Sequence, residues 1–279
     1  MPKLTQSEKA DRLRSLHQGA RILVLPNAWD ATSARIFETA GFEAVGTTSA
    51  GIAAVLGYPD GQRISRDEML LMVARIASSV DVPVSADIEA GYGVTIAEVV
   101  ETVRRTIASG AAGINLEDGT DLPERPLMDL DYQVALIAAL RAAAHGAGVP
   151  LVINARVDIY LREVGAISGR FEQVVERANA YLAAGADCIF PIGLSDGVKI
   201  ARLVQQVNGP LNILAGAGAP LITELEELGV RRVSFGSGLM RATLPLVRQM
   251  AESLRAAGDY HKFIQHEYTH AVVNRMFAG

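Results

Sequence analysis

Two carboxylates at i, i+2 spacing, Asp87 and Glu89, stand in the stretch SADIEAGYG over residues 85–93. A short apolar run, Val82-Pro83-Val84, leads into it, and Gly91 and Gly93 close it. In an extended strand this spacing puts both acids on one face. Two acids on one face at the end of a buried strand are costly unless a cation neutralises them. Glu117 and Asp118 follow GINL further along, and Arg156 and Asp158 follow INA. Carboxylates and waters without histidine or cysteine suit a hard cation, Mg²⁺ or Mn²⁺, rather than zinc. Such an ion polarises a carbonyl or enolate oxygen, and an arginine such as Arg156 pairs with a ligand carboxylate.

Groups so far apart in sequence need a frame that brings them together. Short β-rich apolar runs alternate with longer segments of helical period, which indicates repeated βα units and a parallel sheet. Eight strands are expected, at 22–25, 44–48, 84–88, 113–116, 151–155, 188–192, 211–214 and 232–235. Helical spacing covers 67–79, 97–108, 132–144, 171–184 and 198–207 between them, with 241–257 and 261–277 after the last strand. Even-numbered strands follow a helix ending in glycine (Gly41, Gly110, Gly185, Gly229), the usual left-handed helix stop. Later odd strands start at Pro83, Pro150 and Pro210, where a missing N–H costs little. This alternation predicts an α/β fold, a (β/α)₈ barrel, rather than an open sheet. Residues 1–279 read as a single barrel domain with a helical extension over about 239–279.

Parallel strands bring their C-terminal ends to one face, where barrel active sites lie. In order, those ends supply Asn27 and Trp29; Thr47, Thr48 and Ser49, with Asp60 in the following loop; Asp87 and Glu89; Glu117 and Asp118; and Arg156 and Asp158. The sixth ends in Pro191-Ile192-Gly193, and the last two end in glycine-rich turns at 216–218 and 236–238. A net charge of −5 with scattered basic residues gives no reason to expect nucleic acid or an anionic membrane as a partner. One cysteine, Cys188, suits a reducing compartment and a packing role. With no apolar signal core in the polar N-terminus and no run approaching ~18–20 apolar residues, a cytoplasmic protein is expected.

The set TTSAGIAAVLGYPDG, SADIEAGYG, GINLED and INARVD, in that order from Pro26 to Gly238, resembles the isocitrate lyase/phosphoenolpyruvate mutase superfamily. The resemblance implies a (β/α)₈ barrel with its last helix exchanged between subunits of a homodimer or homotetramer. It also implies Mg²⁺ and chemistry through an enolate of a 2-oxo acid. Carried over by position, Asp87 is the direct metal ligand, Glu89 and Glu117 hold the ion largely through waters, and Asp60 completes the metal–water network. Thr47, Thr48, Ser49 and Ala50 fall where the superfamily holds the substrate carboxylate, with Trp29 beside them, and Arg156 matches the arginine on the bound oxo acid.

The chain departs from the superfamily pattern in places. Glu89 stands where aspartate is usual, the 119–131 loop has neither the lyase cysteine nor the mutase asparagine, and Ile192 replaces a glutamate or histidine. Within that loop Glu124 and Arg125 are candidates for proton transfer. The resemblance implies a Mg²⁺-dependent carbon–carbon lyase acting on a 2-oxo acid or its hydroxy-dicarboxylate or tricarboxylate parent, as in isocitrate or methylisocitrate lyase or an oxaloacetate decarboxylase. Alternatives are a phosphonopyruvate-type P–C enzyme and a non-catalytic 2-oxo-acid-binding protein. Two further motifs compete. The sequence His266-Glu267-Tyr268-Thr269-His270 is a formal HExxH, which on a helix would present two imidazoles for zinc. The glycine-rich turns after strands seven and eight would suit a phosphate.

Overall fold

The computed structural model describes residues 4–278. Eight parallel strands close a ring: β1 (Leu23–Leu25, continued by Asn27–Ala28), β2 (Val45–Thr47), β3 (Val84–Asp87), β4 (Gly113–Glu117), β5 (Val152–Arg156), β6 (Cys188–Phe190), β7 (Asn212–Leu214) and β8 (Arg232–Ser234). Pro26 splits β1 because it lacks an N–H, but its carbonyl still accepts from Gly46 at 2.8 Å. The ring closes where Leu23–Leu25 pairs with β8 and a single bridge, Ile189 to Leu211, joins β6 to β7. The barrel expected from the alternation is present, and every expected strand is found within three residues at either end.

The helices are α1 (Gln6–Gln18), α2 (Ala31–Thr39), α3 (Ser49–Val55), α4 (Arg66–Ser79), α5 (Ile96–Ala108), α6 (Leu130–Gly146), α7 (Arg170–Ala183), α8 (Gly197–Gln206), α9 (Ile222–Glu227) and α10 (Gly238–Ala257). Short pieces α11 (His261–Ile264) and α12 (His270–Phe277) follow. Gly41, Gly110, Gly185 and Gly229 all have φ near +90 to +111°, which accounts for glycine at this repeated helix stop. Outward-facing Ile114, Leu116 and Ile153 and helix residues such as Val103 and Leu136 are buried between the two layers. Each such side chain stabilises the fold by ~1.5–3 kcal/mol relative to exposure.

The C-terminal segment differs from expectation. The single helix expected over 261–277 breaks between Ile264 and His270, where Thr269 caps α12 by accepting from Val272 N–H. The HExxH therefore straddles a break and a cap, its two histidines do not share a helical face, and the zinc reading loses its geometry. Arg35 Nε donates to Met276 O at 2.8 Å, tying α12 to α2. By contrast, Met240 is the only buried residue of α10, whose Leu244, Leu246, Val247 and Leu254 are half exposed or more. No described helix is long and apolar enough to cross a membrane.

Candidate active site

The strand ends surround two adjoining cavities at the barrel mouth. An inner one of about 180 Å³ lies among Asn27, Thr47, Ser49, Asp87, Asn115 and Arg232, and Thr48 and Ala50 also line it. An outer one of about 480 Å³ lies among Gln62, Glu89, Glu117, Arg125, Tyr132 and Arg162. Ser49, Asp60 and Arg156 line both, so they stand at the junction. Trp29 lines neither; its ring stands edge-on to Phe37 with centroids 6.3 Å apart. Of the two loop residues considered for proton transfer, Arg125 lines the outer cavity and Glu124 does not.

Asp87 and Glu89 do not share a face. The strand ends at Asp87, and Glu89 takes φ +52°, which swings its side chain away into the outer cavity. Asp87 Oδ2 accepts from Ser49 N–H at 2.9 Å and Oγ at 2.7 Å, while Oδ1 accepts from Asn115 Nδ2 at 2.9 Å. Glu89 accepts from Gln62 N–H at 2.6 Å and from the Tyr92 hydroxyl at 2.6 Å, and the Gln62 side chain accepts from Tyr92 N–H at 2.8 Å. Gln62, Glu89 and Tyr92 are all non-glycine residues with φ of 52–54°. Backbone held there costs of order 1–3 kcal/mol per residue and persists only where the surroundings over-determine it. The hydrogen bonds within this trio supply that constraint. Between them, Gly91 (φ +98°) admits no side chain, because a Cβ would lie 2.4 Å from Val99 Cγ1.

Glu117 closes β4 and Arg156 closes β5 at the same register, which brings them into a buried ion pair. Arg156 also grips Asp158 with Nε at 2.6 Å and Nη2 at 2.7 Å, leaving Nη1 for a ligand. Burial lowers the tendency of Arg156 to hold its proton, but the bonds to Asp158 and the charge of Glu117 outweigh this and raise its pKa. Glu117 is pushed up: burial is the main cause, Arg156 opposes it, and Asp158, Asp87 and Glu89 add repulsion. Burial likewise lifts Glu89 to about 7, against the Tyr92 hydrogen bond and with repulsion from Asp87. Around Asp87, Glu89 and Glu117, negative charge is therefore in excess of what Arg156 balances.

That excess is the test of whether a hard cation fits. Asp87, Glu89 and Glu117 are oxygen donors, and a divalent ion would relieve the repulsion that raises both glutamates. Among the described residues no three His, Cys, Asp or Glu side chains are gathered as a ready-made cation cage. Mg²⁺ does not require one, since it keeps several waters and takes only one or two carboxylates directly. The donor set fits the ion.

Asp118 belongs elsewhere: fully buried, it accepts from Tyr181, Arg177 and Asp158 N–H and braces the floor of the 119–131 loop. That loop is a hairpin, bridged between Gly119 and Leu127, with Arg162 bonded to Thr120 O. Cys188 is buried in β6, and burial pushes its thiol up to about 12, in keeping with a packing role. Sequence reasoning missed Gln62, Tyr92, Asn115 and Arg232. For Arg232 the signal was available, because alternation along β8 from Ser234 puts it inside the barrel.

A family model described as phosphoenolpyruvate phosphomutase matches residues 13–255. An oxaloacetate decarboxylase of Pseudomonas fluorescens (strain SBW25) is 31% identical over 285 residues, covering 98% of this chain and 90% of that one. A 2-methylisocitrate lyase of Aeropyrum pernix is 31% identical over 267 residues, covering 92% and 83%. Among solved structures, a phosphonopyruvate hydrolase in complex with oxalate and Mg²⁺ superposes with a TM-score of 0.86 at 26% identity, covering 96% of this chain and 94% of that one. The strand-end acids, the barrel and these likenesses converge: the chain belongs to the phosphoenolpyruvate phosphomutase family.

Proposed function

We propose that this chain is a Mg²⁺-dependent carbon–carbon lyase acting on a small 2-oxo acid, or on its hydroxy-dicarboxylate or tricarboxylate parent, through an enolate. The observation that carries this reading is the surplus of buried carboxylates at a mouth where one arginine, Arg156, reaches both cavities. Asp87 would hold Mg²⁺ directly, with Glu89, Glu117 and Asp60 acting on its waters; Mn²⁺ meets the same donor demands. When bound, the ion supplies positive charge that polarises a carbonyl oxygen and stabilises an enolate.

The chain's own residues do the rest. Arg156 Nη1 pairs with a ligand carboxylate while Asp158 fixes the guanidinium plane. Thr47, Thr48, Ser49 and Ala50 present hydroxyl and amide groups along the inner cavity. The 119–131 hairpin, anchored by Arg162, lines one side of the outer cavity. In a retro-aldol step the substrate hydroxyl gives its proton to solvent, its carbon becomes a carbonyl, and the C–C pair stays on the departing acid as an enolate, which then takes a proton back. In decarboxylation no hydroxyl proton is lost: a carboxylate leaves as CO₂, and its C–C pair becomes the enolate of the remaining 2-oxo acid, which then takes up a proton. Stabilising charge that develops in the transition state is where such a site gains most of its rate.

Assembly into a homodimer or homotetramer with the C-terminal helices exchanged is part of this proposal, supported by the apolar face that α10 leaves uncovered. The deciding assay is Mg²⁺-dependent turnover of isocitrate, 2-methylisocitrate, oxaloacetate and phosphonopyruvate, with Asp87→Ala as the control that should lose metal-dependent oxalate binding. Turnover of phosphonopyruvate alone would replace the C–C reading by a P–C one. Oxalate binding without turnover of any of the four would leave a 2-oxo-acid-binding protein.

A further inference from the structure

The inner cavity has a charged floor. Arg232 starts β8 and points inward, alternating with the outward Val233, and it lines the cavity at only 2% exposure. Its Nε and Nη1 have no hydrogen-bond partner, and among the described residues no carboxylate forms an ion pair with it. Every other buried arginine at the mouth is answered: Arg156 by Glu117 and Asp158, Arg177 by Asp118 and Tyr181. Burial pulls the Arg232 pKa down to about 10, so it stays charged at neutral pH. His17, the other basic group facing it, is held neutral, its pKa lowered to about 4 chiefly by burial. Across the cavity, Ser85 Oγ is a second buried polar atom without a partner, and it can donate. A buried, unpaired guanidinium is among the costliest arrangements a fold can keep. Two idle donors facing one small cavity are complementary to an anion.

We propose that Arg232, with Ser85, makes the floor of the inner cavity an anion subsite that takes the distal carboxylate of the ligand, so that the chain selects four-carbon diacids over monoacids of the same length. This rests on the 2-oxo-acid reading above and adds a specificity-determining residue to it. The head of such an acid lies against Ser49 and Arg156 at the junction, and its far end reaches down to Arg232. The guanidinium fork matches a carboxylate in two parallel bonds, which an ammonium cannot reproduce.

The experiment measures displacement of oxalate from the whole chain in Mg²⁺ by oxaloacetate and by 2-oxobutyrate, which differ only in a terminal carboxylate against a methyl. The unaltered chain should hold oxaloacetate on the order of 10- to 100-fold more tightly, the range for a hydrogen bond to a charged group. Arg232→Met should collapse that ratio toward unity while oxalate, which has no distal group, binds within about twofold of the original. Arg232→Lys should keep part of the preference. Removing the unpaired charge should leave the Tm of the ligand-free Met variant equal or higher, which shows that it folds. A diacid preference that persists in Arg232→Met, or an equal loss of oxalate, overturns the subsite; equal loss would mean that Arg232 serves Asp87 from below. Absence of Mg²⁺-dependent oxalate binding by the unaltered chain overturns instead the functional reading on which the subsite stands.

Discussion

The two ends of the barrel treat buried charge in opposite ways. Below the strands, Asp187 is answered on every side: Arg14 Nε lies at 3.0 Å, Arg141 pairs with it closely, and Ile153 N–H donates at 2.8 Å. At the mouth, the Asp87 carboxylate accepts hydrogen bonds only from the neutral Ser49 and Asn115, and Glu89 only from Gln62 and Tyr92. The lower cluster is closed by protein alone and serves stability. Among the described residues the upper one leaves Asp87 and Glu89 without an ion pair and Arg232 Nε and Nη1 without a hydrogen-bond partner, and the difference marks where a ligand completes the electrostatics.

The contrast can be broken by substitution. Asp187→Ala would strand two arginines and an N–H and should cost about 4 kcal/mol, read as a shift of the urea midpoint. The same experiment with Asp87→Ala should move the midpoint far less. If the two losses are equal, the ends do not differ as described.

Acidity sharpens it further, because groups at the two ends have folded pKa values that depart in opposite directions: Glu89 and Glu117 rise, and His17 falls. Glu89 rises from 4.5 to about 7, so between those values the unfolded chain releases a proton that the folded chain keeps. The metal-free protein should therefore lose about 3 kcal/mol as pH rises through that window. His17, at the lower end, falls from 6.5 to about 4, so the folded state refuses a proton that the unfolded chain takes up. It removes a similar amount, about 3 kcal/mol, as pH drops from 6.5 to 4. The two slopes oppose each other in the unaltered chain. Glu89→Gln should weaken the loss of stability on raising pH, leaving the part due to Glu117, and His17→Gln should remove the loss on acidification, in urea melts across the range. A Glu89→Gln slope identical to the parent would sink the account of the upper end.

The smallest effect concerns backbone. Gly91→Ala forces a Cβ toward Val99 at φ +98° and should cost about 2 kcal/mol. Metal-dependent oxalate binding should weaken with it, because Glu89 and Tyr92 flank the position. Gly41→Ala, with φ +92° but nothing within 4 Å, should lower stability and spare binding.

The frame was legible in the chain because its punctuation is local. A glycine before each even strand and a proline before the later odd strands report turn geometry residue by residue, and the number of units follows from them. The acids were legible for the same reason: strand ends can be found, and the barrel makes them neighbours. What local reasoning missed is set by distant partners. The expectation that Asp87 and Glu89 share a face failed because Gln62, from another loop, helps hold Glu89 in a left-handed conformation. Arg232 stands beside Arg231 in the sequence, and only the inward parity of β8 sets it apart. The continuous final helix failed at Thr269, whose capping role was visible in its residue type but carried less weight than the apolar spacing around it.

The trio of Gln62, Glu89 and Tyr92 has a consequence for inheritance. Each is bonded to another of the three, and each has a backbone that most residues avoid. None can drift alone without leaving the others strained, and a shorter acid at 89 no longer meets the same two donors. Such a trio is expected to change together or not at all, so the extra methylene at 89 is a commitment shared by two loops.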